Sequence, residues 1–213
     1  MSFTRKIDTA VVLAPHPDDG EFGCGATLNK LISQGTEVHY VAFSPCTISV
    51  PDGFDKDVLF KELNSATEKL GINKKNVTTF TFPVRELSSH RQEILEELIK
   101  LRNSIQPDLV LLPASTDIHQ DHQTIYNEGV RAFKYTSILG YEMPWNNLTI
   151  TTNFHVNIDE DNLQAKWDAI NSYESQSGRN YKDFEFIKGL ARLRGTQINT
   201  KYAEAFELIR WII

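Results

Sequence analysis

The residues of this sequence that could catalyse a reaction lie in two short clusters of acidic residues and histidines. The first spans residues 16–21 (HPDDGE) and the second spans residues 117–122 (DIHQDH). Zinc is bound in proteins by imidazole nitrogen and carboxylate oxygen, and a catalytic zinc site keeps three protein ligands and one open position. His16, Asp19 and His122 can supply such a set of three.

The other side chains of the two clusters suit proton transfer. Zinc lowers the pKa of its water to about 7, and Asp18, beside the ligand Asp19, is free to take a proton from that water. His119 can polarise or protonate a substrate, and Asp121 can hold an imidazole in place. Together the clusters indicate a metal-dependent hydrolase, provided that the fold brings them together.

Each cluster follows a short apolar run that is typical of a buried strand. The runs at residues 8–14 and 108–113 lead into a proline and then into polar residues. Pro15 and Pro17 disfavour helix for the residues before them, so His16 is expected to project from an extended turn. Ligands of open α/β sheets bind at the carboxyl ends of the strands, so the clusters meet if these strands are neighbours.

Strands and helices alternate to about residue 145, which predicts one α/β domain over residues 1–213 with a mostly parallel central sheet. The predicted strands cover residues 8–14, 36–43, 77–82, 108–113, 137–141 and 148–158. The predicted helices cover residues 20–34, 55–70, 89–106, 121–134, 159–173, 184–194 and 202–208. Gly35 and Gly71 are expected to end the first two helices in the left-handed conformation.

Composition narrows the choice of partner. The chain has 213 residues and a net charge of −6, without a basic run, which argues against nucleic acid and anionic membranes. No stretch approaches the about 20 apolar residues of a membrane-spanning helix. Two cysteines, Cys24 and Cys46, do not make a disulfide framework. We expect a cytoplasmic protein whose oligomeric state is open, a homo-oligomer included.

Simpler interpretations exist for each cluster alone. A His-Pro pair can be turn chemistry, adjacent aspartates can cap a helix, and His119 and His122 could face solvent at a helix start. Two such clusters at strand ends of one sheet favour a site over coincidence. Gly23 and Gly25 match a dinucleotide-binding fingerprint poorly, because the third glycine is missing and acids interrupt the turn.

The two clusters together resemble the PIG-L/LmbE family of zinc-dependent deacetylases. The first motif of that family reads roughly HPDDE or HPDDxE, and this sequence has the longer form with Gly20 as the variable residue. Weaker similarity continues at residues 173–176 (YESQ), at Arg194-Gly195 and at residues 202–206 (YAEAF). The resemblance implies a Rossmann-like three-layer fold and hydrolysis of an N-acetyl group, usually on a glucosamine-containing substrate.

The resemblance also implies a role for each residue of the clusters. The general base is Asp18, the residue that stabilises the oxyanion is His119, and the acid that supports His119 is Asp121. The implied ligands of zinc, or of another divalent metal, are His16, Asp19 and His122.

The substrate is less defined, because the sequence departs from the family where many members carry an arginine used for substrate. Here that segment, residues 58–61, reads VLFK, so Lys61 is the nearest basic group, and Arg85 or Arg91 could substitute. The other candidate sugar contacts are Glu142, Trp145, Asn146, Gln176 and Arg179.

Three hypotheses remain at this stage. The first is removal of an N-acetyl group from an N-acetylglucosamine-type sugar that is free, nucleotide-linked or lipid-linked. The second is hydrolysis of another small N-acyl compound, such as an N-acyl amino acid, at the same metal site. The third, a non-catalytic metal-binding or sugar-binding module, requires Asp18 to be dispensable and ranks last.

Overall fold

One sheet carries both clusters on neighbouring strands. The structure is a computed structural model that describes residues 6–213. The strands of the sheet, in chain order, are β1 (Thr9–Ala14), β2 (Glu37–Ala42), β3 (Val77–Thr79), β4 (Leu109–Pro113), β5 (Ser137–Tyr141), β6 (Phe154–Ile158) and β7 (Tyr202–Arg210).

The strand order of this seven-stranded sheet is β3-β2-β1-β4-β5-β7-β6. The first five strands of that order are parallel, and β7 runs antiparallel to both β5 and β6. The predicted α/β fold with a mostly parallel sheet is therefore confirmed. Because β1 and β4 pair directly, with Ala10 opposite Leu109 and Val12 opposite Leu111, the clusters that follow them meet at one edge of the sheet.

Helices cover both faces of the sheet. The helices are α1 (Asp19–Ser33), α2 (Val58–Leu70), α3 (Arg91–Ile105), α4 (Gln120–Ala132), α5 (Glu160–Asn171) and α6 (Phe184–Gln197). Alternate residues of β1 point to opposite faces. Val12 packs in the apolar core under α1, α2, α5 and α6, whereas Val11 packs in a second core under α3 and α4. Among residues 6–213, no helix is long and apolar enough to cross a membrane.

The first two helices end as their glycines predict. Gly35 and Gly71 adopt φ values of 89° and 88°, in the left-handed region that a side chain disfavours. Gly71 is the residue that ends α2. The third helix begins at Arg91, later than predicted, because residues 87–90 form a 3₁₀ turn.

The predicted helix at residues 202–208 is wrong, because this segment belongs to β7. Alanine and glutamate favour a helix locally, which made the sequence YAEAFEL look helical. In the structure the segment lies between β5 and β6 and forms antiparallel ladders with both. Pairing on two sides and burial of Tyr202 and Phe206 outweigh the local helix propensity.

Candidate active site

Three donor atoms converge where β1 and β4 end. His16 follows β1, Asp19 is the first residue of α1, and His122 lies in the first turn of α4. Asp19 Oδ2 is 3.2 Å from His16 Nδ1 and 3.2 Å from His122 Nε2, and the two nitrogens are 3.4 Å apart. Ligand atoms on a tetrahedral zinc ion with bonds of about 2.0–2.2 Å lie about 3.3 Å from one another. The spacing and the chemistry of this donor set therefore fit zinc.

Two further carboxylates hold the histidines in place. Asp117 Oδ2 lies 2.7 Å from His122 Nδ1, and Asp121 Oδ2 lies 2.9 Å from His16 Nε2. A carboxylate on the far ring nitrogen fixes the orientation of an imidazole and leaves the other nitrogen free for a metal. No role was predicted for Asp117 from the sequence. The one signal that could have indicated a role is its position five residues before His122.

The carboxylate of Asp121 contacts His16 rather than His119, which differs from the expectation drawn from the resemblance. Its carboxylate also accepts the backbone N–H groups of Arg85 (2.7 Å) and Leu87 (3.2 Å). Burial acts to raise the pKa of Asp121, but the hydrogen bonds to His16 and to these backbone groups outweigh it, so its pKa is lowered. Asp121 therefore stays ionised and holds His16.

His119 is oriented by the backbone instead. It caps the amino end of α4, and its Nδ1 accepts the backbone N–H of Asp121 at 3.1 Å. Burial, and then the neighbouring His122 and His16, lower the pKa of His119. A neutral ring whose Nδ1 accepts a hydrogen bond carries its proton on Nε2. His119 lines the cavity of the site and can donate that Nε2–H to a substrate.

The adjacent aspartates differ in basicity. Burial, and then the Asp19 carboxylate, raise the pKa of Asp18 to about 6. Burial also acts to raise the pKa of Asp19, but His122 and His16 outweigh it and hold that pKa far below its usual range. Asp19 is therefore fixed as an anion, while Asp18 has the basicity of a group that exchanges protons near neutral pH.

The electrostatic environment of His16 and His122 favours positive charge. Burial acts to lower their pKa values, but nearby carboxylates, above all that of Asp19, outweigh it. The pKa of His16 is raised to about 9 and that of His122 to about 10. The same carboxylates would stabilise a cation placed between these donor atoms.

A cavity of about 310 Å³ opens above the donor atoms. It is within the size range of small-molecule sites, at its lower end. The residues predicted to contact substrate that do line it are Arg85, Trp145, Asn146, Gln176 and Arg179. The segment at residues 175–181, predicted to lie over the site, contributes Tyr181 as well.

Three residues predicted to contact substrate lie elsewhere, and each has a charged partner. Lys61 is exposed and forms ion pairs with two acids near the start of α2. Arg91 binds the buried carboxylate of Glu128 through both Nε and Nη2. Glu142 accepts two hydrogen bonds from Arg194, at 2.9 and 2.6 Å, and does not line this cavity.

One wall of the cavity is aromatic. The rings of Trp145 and Tyr181 stack with their centroids 3.9 Å apart and their planes 10° apart. Phe22 meets both rings edge-on, at 5.3 and 5.4 Å. Apolar walls beside a few polar groups are typical of small-molecule sites, and this wall faces the same space as His119.

The YESQ stretch forms hydrogen bonds with residues of the first cluster. Tyr173 donates toward the Pro17 carbonyl and toward the carboxylate of Glu21, which also contacts the hydroxyl of Tyr40. Burial raises the pKa of Glu21 to about 8. Ser175 binds the buried Glu62 through its N–H (2.8 Å) and its hydroxyl (2.6 Å), which anchors the segment that carries Gln176.

Comparison with known proteins gives a consistent set of similarities. Residues 11–133, which include both clusters, match the family model described as PIG-L, GlcNAc-PI de-N-acetylase. The chain is 26% identical over 185 residues to YaiS of Escherichia coli (strain K12), described as an uncharacterized deacetylase; the match covers 82% of this chain and 95% of the relative. It is 22% identical over 229 residues to diacetylchitobiose deacetylase of Thermococcus kodakarensis, covering 96% and 84%.

The fold is also similar to that of solved structures. An N,N'-diacetylchitobiose deacetylase from Pyrococcus horikoshii superposes with a TM-score of 0.81 at 23% identity. The superposition covers 95% of this chain and 84% of that one. The similarity of fold therefore extends beyond residues 11–133 to the strands and helices that complete the sheet.

Proposed function

The chain belongs to the PIG-L family, and on that premise we propose that it is a metal-dependent hydrolase that removes the N-acetyl group of an N-acetylglucosamine-type sugar or sugar conjugate. The observation that carries the proposal is the triangle of donor atoms from His16, Asp19 and His122, with Asp18 beside it. The diacetylchitobiose deacetylases among its relatives support a sugar as the substrate class.

We propose that His16, Asp19 and His122 hold zinc or another divalent metal. Two imidazoles and one carboxylate are a donor set that suits zinc and leaves a position open. When bound, such a metal supplies an electrophile that polarises a carbonyl oxygen and lowers the pKa of a water molecule. Asp117 and Asp121 keep the two histidines oriented for this role.

Asp18 and His119 supply the proton chemistry in this proposal. An amide is a poor electrophile with a poor leaving group, so its hydrolysis needs a base for water and an acid for the departing nitrogen. Asp18, whose pKa is raised to about 6, takes the proton from water and then gives it to the nitrogen. His119 donates its Nε2–H to the carbonyl oxygen as negative charge develops there.

The cavity gives the substrate its place. The aromatic wall of Phe22, Trp145 and Tyr181 offers an apolar surface to one face of a sugar ring. Asn146 and Gln176 offer amide groups to hydroxyls, and the guanidinium groups of Arg85 and Arg179 lie in the lining of the same cavity. Hydrogen-bonding groups of this kind fix orientation within an otherwise apolar pocket.

Acetate release tests the proposal. The purified protein is incubated with N-acetylglucosamine, diacetylchitobiose and nucleotide-linked and lipid-linked N-acetylglucosamine, and in parallel with N-acyl amino acids. We expect acetate from at least one sugar, abolished by a chelator and restored by zinc. Acetate release from N-acetyl amino acids, with none from any of the sugars, would establish the amidohydrolase hypothesis instead. Sugar binding without acetate release, unchanged in Asp18→Asn, would establish a binding module.

A further inference from the structure

The helix that begins at Asp19 is interrupted one turn after it starts. Cys24 has φ −149° and ψ 17°, outside the helical region, so α1 consists of a first turn and a second segment that meet at a kink. In a continuous α-helix the N–H of Ala26 would donate to the carbonyl of Phe22. Here the Ala26 N–H donates to Glu204 Oε1 at 3.2 Å, and the Phe22 carbonyl accepts from Lys166 Nζ at 2.7 Å.

A buried ion pair thus occupies the interruption. Lys166 comes from α5 and Glu204 from β7, and their side chains are about as buried as the core around them. Lys166 Nζ lies 2.6 Å from Glu204 Oε1, and Glu204 Oε2 accepts the N–H of Thr27 at 2.6 Å. Glu204 therefore caps the second segment of α1 from a distant strand, and Lys166 satisfies the carbonyl that the kink leaves open.

Small residues make room for this arrangement. A Cβ atom on Gly23 would lie 2.3 Å from the ring of Tyr141, and one on Gly25 would lie 3.2 Å from Lys166 Cγ. These two glycines, which resemble a dinucleotide fingerprint only in part, instead let the kinked helix lie against Tyr141 and Lys166. A buried ion pair often stabilises a fold no more than apolar residues of similar size would. The effect of this ion pair therefore lies in the geometry that it imposes on α1.

We propose that Lys166 and Glu204 are positioning residues that hold the first turn of α1, and with it Asp18 and Asp19, in place beside the two ligand histidines. The connection is short, because the backbone of the single residue Phe22 joins both ends. Its carbonyl accepts from Lys166, and its N–H donates to the carbonyl of Asp18 at 3.1 Å. Glu204 is the glutamate of the YAEAF stretch, and this role rests on the proposed function, since it assumes that Asp19 binds metal.

The test uses a variant that removes both charges. Lys166→Met with Glu204→Gln leaves no unpaired buried charge, so it is expected to fold even where either single variant does not. Methionine cannot donate to the Phe22 carbonyl, and the first turn of α1 loses its tether. Two core variants under α3, Ile94→Val and Leu98→Ala, serve as controls that lower the melting temperature without touching α1. Lys201→Met, which breaks an exposed ion pair with Glu160, controls for loss of a lysine.

The measurements are the zinc dissociation constant, by competition with a chromogenic chelator, and hydrogen exchange of the peptide spanning residues 18–30. We expect the double variant to bind zinc about 10–100-fold more weakly, as for other supports of metal ligands. Exchange in the peptide should be faster, and kcat should fall more than KM changes. The three controls should keep the wild-type zinc affinity.

Three outcomes would overturn this inference, and they are distinguishable. Equal zinc affinity and equal exchange in the wild type and the double variant would refute the positioning role alone. Equal weakening of zinc binding in Ile94→Val or Leu98→Ala, at matched loss of melting temperature, would do the same, because it would show a general effect of stability. Failure of the wild-type protein to bind zinc or any other divalent metal would refute the proposed function and the positioning role with it.

Discussion

Replacing Asp18 with asparagine should separate proton transfer from metal binding. The carboxylate of Asp18 is not one of the three donor atoms that meet beside it, which belong to His16, Asp19 and His122. Asparagine keeps the size of the side chain and much of its hydrogen bonding but has no basic carboxylate. The metal content of Asp18→Asn should therefore equal that of the wild type, while turnover falls.

The size of the fall follows from the role assigned to Asp18. Burial and the charge of Asp19 raise its pKa from 3.8 to about 6, which makes it a stronger base than an ordinary aspartate. A group that transfers protons in this way typically contributes about 10²–10⁴-fold to the rate, or about 3–5 kcal/mol of transition-state stabilisation. We expect a loss of kcat in this range with little change in KM.

The assay combines acetate release with elemental analysis of the same samples. Asp19→Ala is the matched control, because it removes the neighbouring carboxylate and should lose both metal and activity, with partial recovery of each in excess zinc. An empty metal site in Asp18→Asn together with a full one in Asp19→Ala would show that the two roles are reversed. Unchanged turnover in Asp18→Asn would refute the assignment of the base.

Three further predictions concern the support of His122, the placement of substrate and the end of α2. Asp117→Asn should weaken zinc binding about 10–100-fold, measured by chelator competition, because it removes the carboxylate on His122 Nδ1; an unchanged affinity would contradict this support role. Arg179→Ala should raise KM more than it lowers kcat in steady-state assays, whereas Lys61→Ala, outside the cavity, should change neither. Equal changes of KM in the two variants would contradict the binding of substrate in this cavity. Gly71→Ala should lower the free energy of unfolding in urea by about 1 kcal/mol, because Gly71 has a φ of 88°. Gly189→Ala, in a helix with open space around it, should not destabilise the protein. Equal stability of both variants would contradict the left-handed conformation at the end of α2.

Local sequence patterns were sufficient to predict the elements that carry the site. Apolar runs ending at prolines identified β1 and β4, and the rule for carboxyl ends of parallel strands predicted that their clusters meet. The role of two glycines in ending α1 and α2 was predictable, because it depends only on the backbone conformation of one residue. The two clusters follow these same strands, so it was also predictable that His122 would lie close to His16 and Asp19.

Partners that are distant in sequence could not be predicted from spacing. Glu142 was expected to contact substrate, yet Arg194, more than 50 residues later in the chain, occupies its carboxylate. The strand β7 was mistaken for a helix because the ladders on its two sides are tertiary contacts. The Lys166–Glu204 pair, too, joins a helix to a strand across a kink in α1 that no local pattern indicated.

Zinc titration of the chelator-treated protein measures whether hydrolysis depends on a metal held by the three donor atoms. The signal is acetate release from the best N-acetyl sugar. We expect activity to rise in proportion to added zinc and to reach a plateau at about one ion per chain. In His122→Ala, which lacks one of the three donor atoms, activity should stay near zero over the same range. Full activity without zinc, or an identical titration curve in His122→Ala, would contradict the assignment of His16, Asp19 and His122 as the ligands of a catalytic metal.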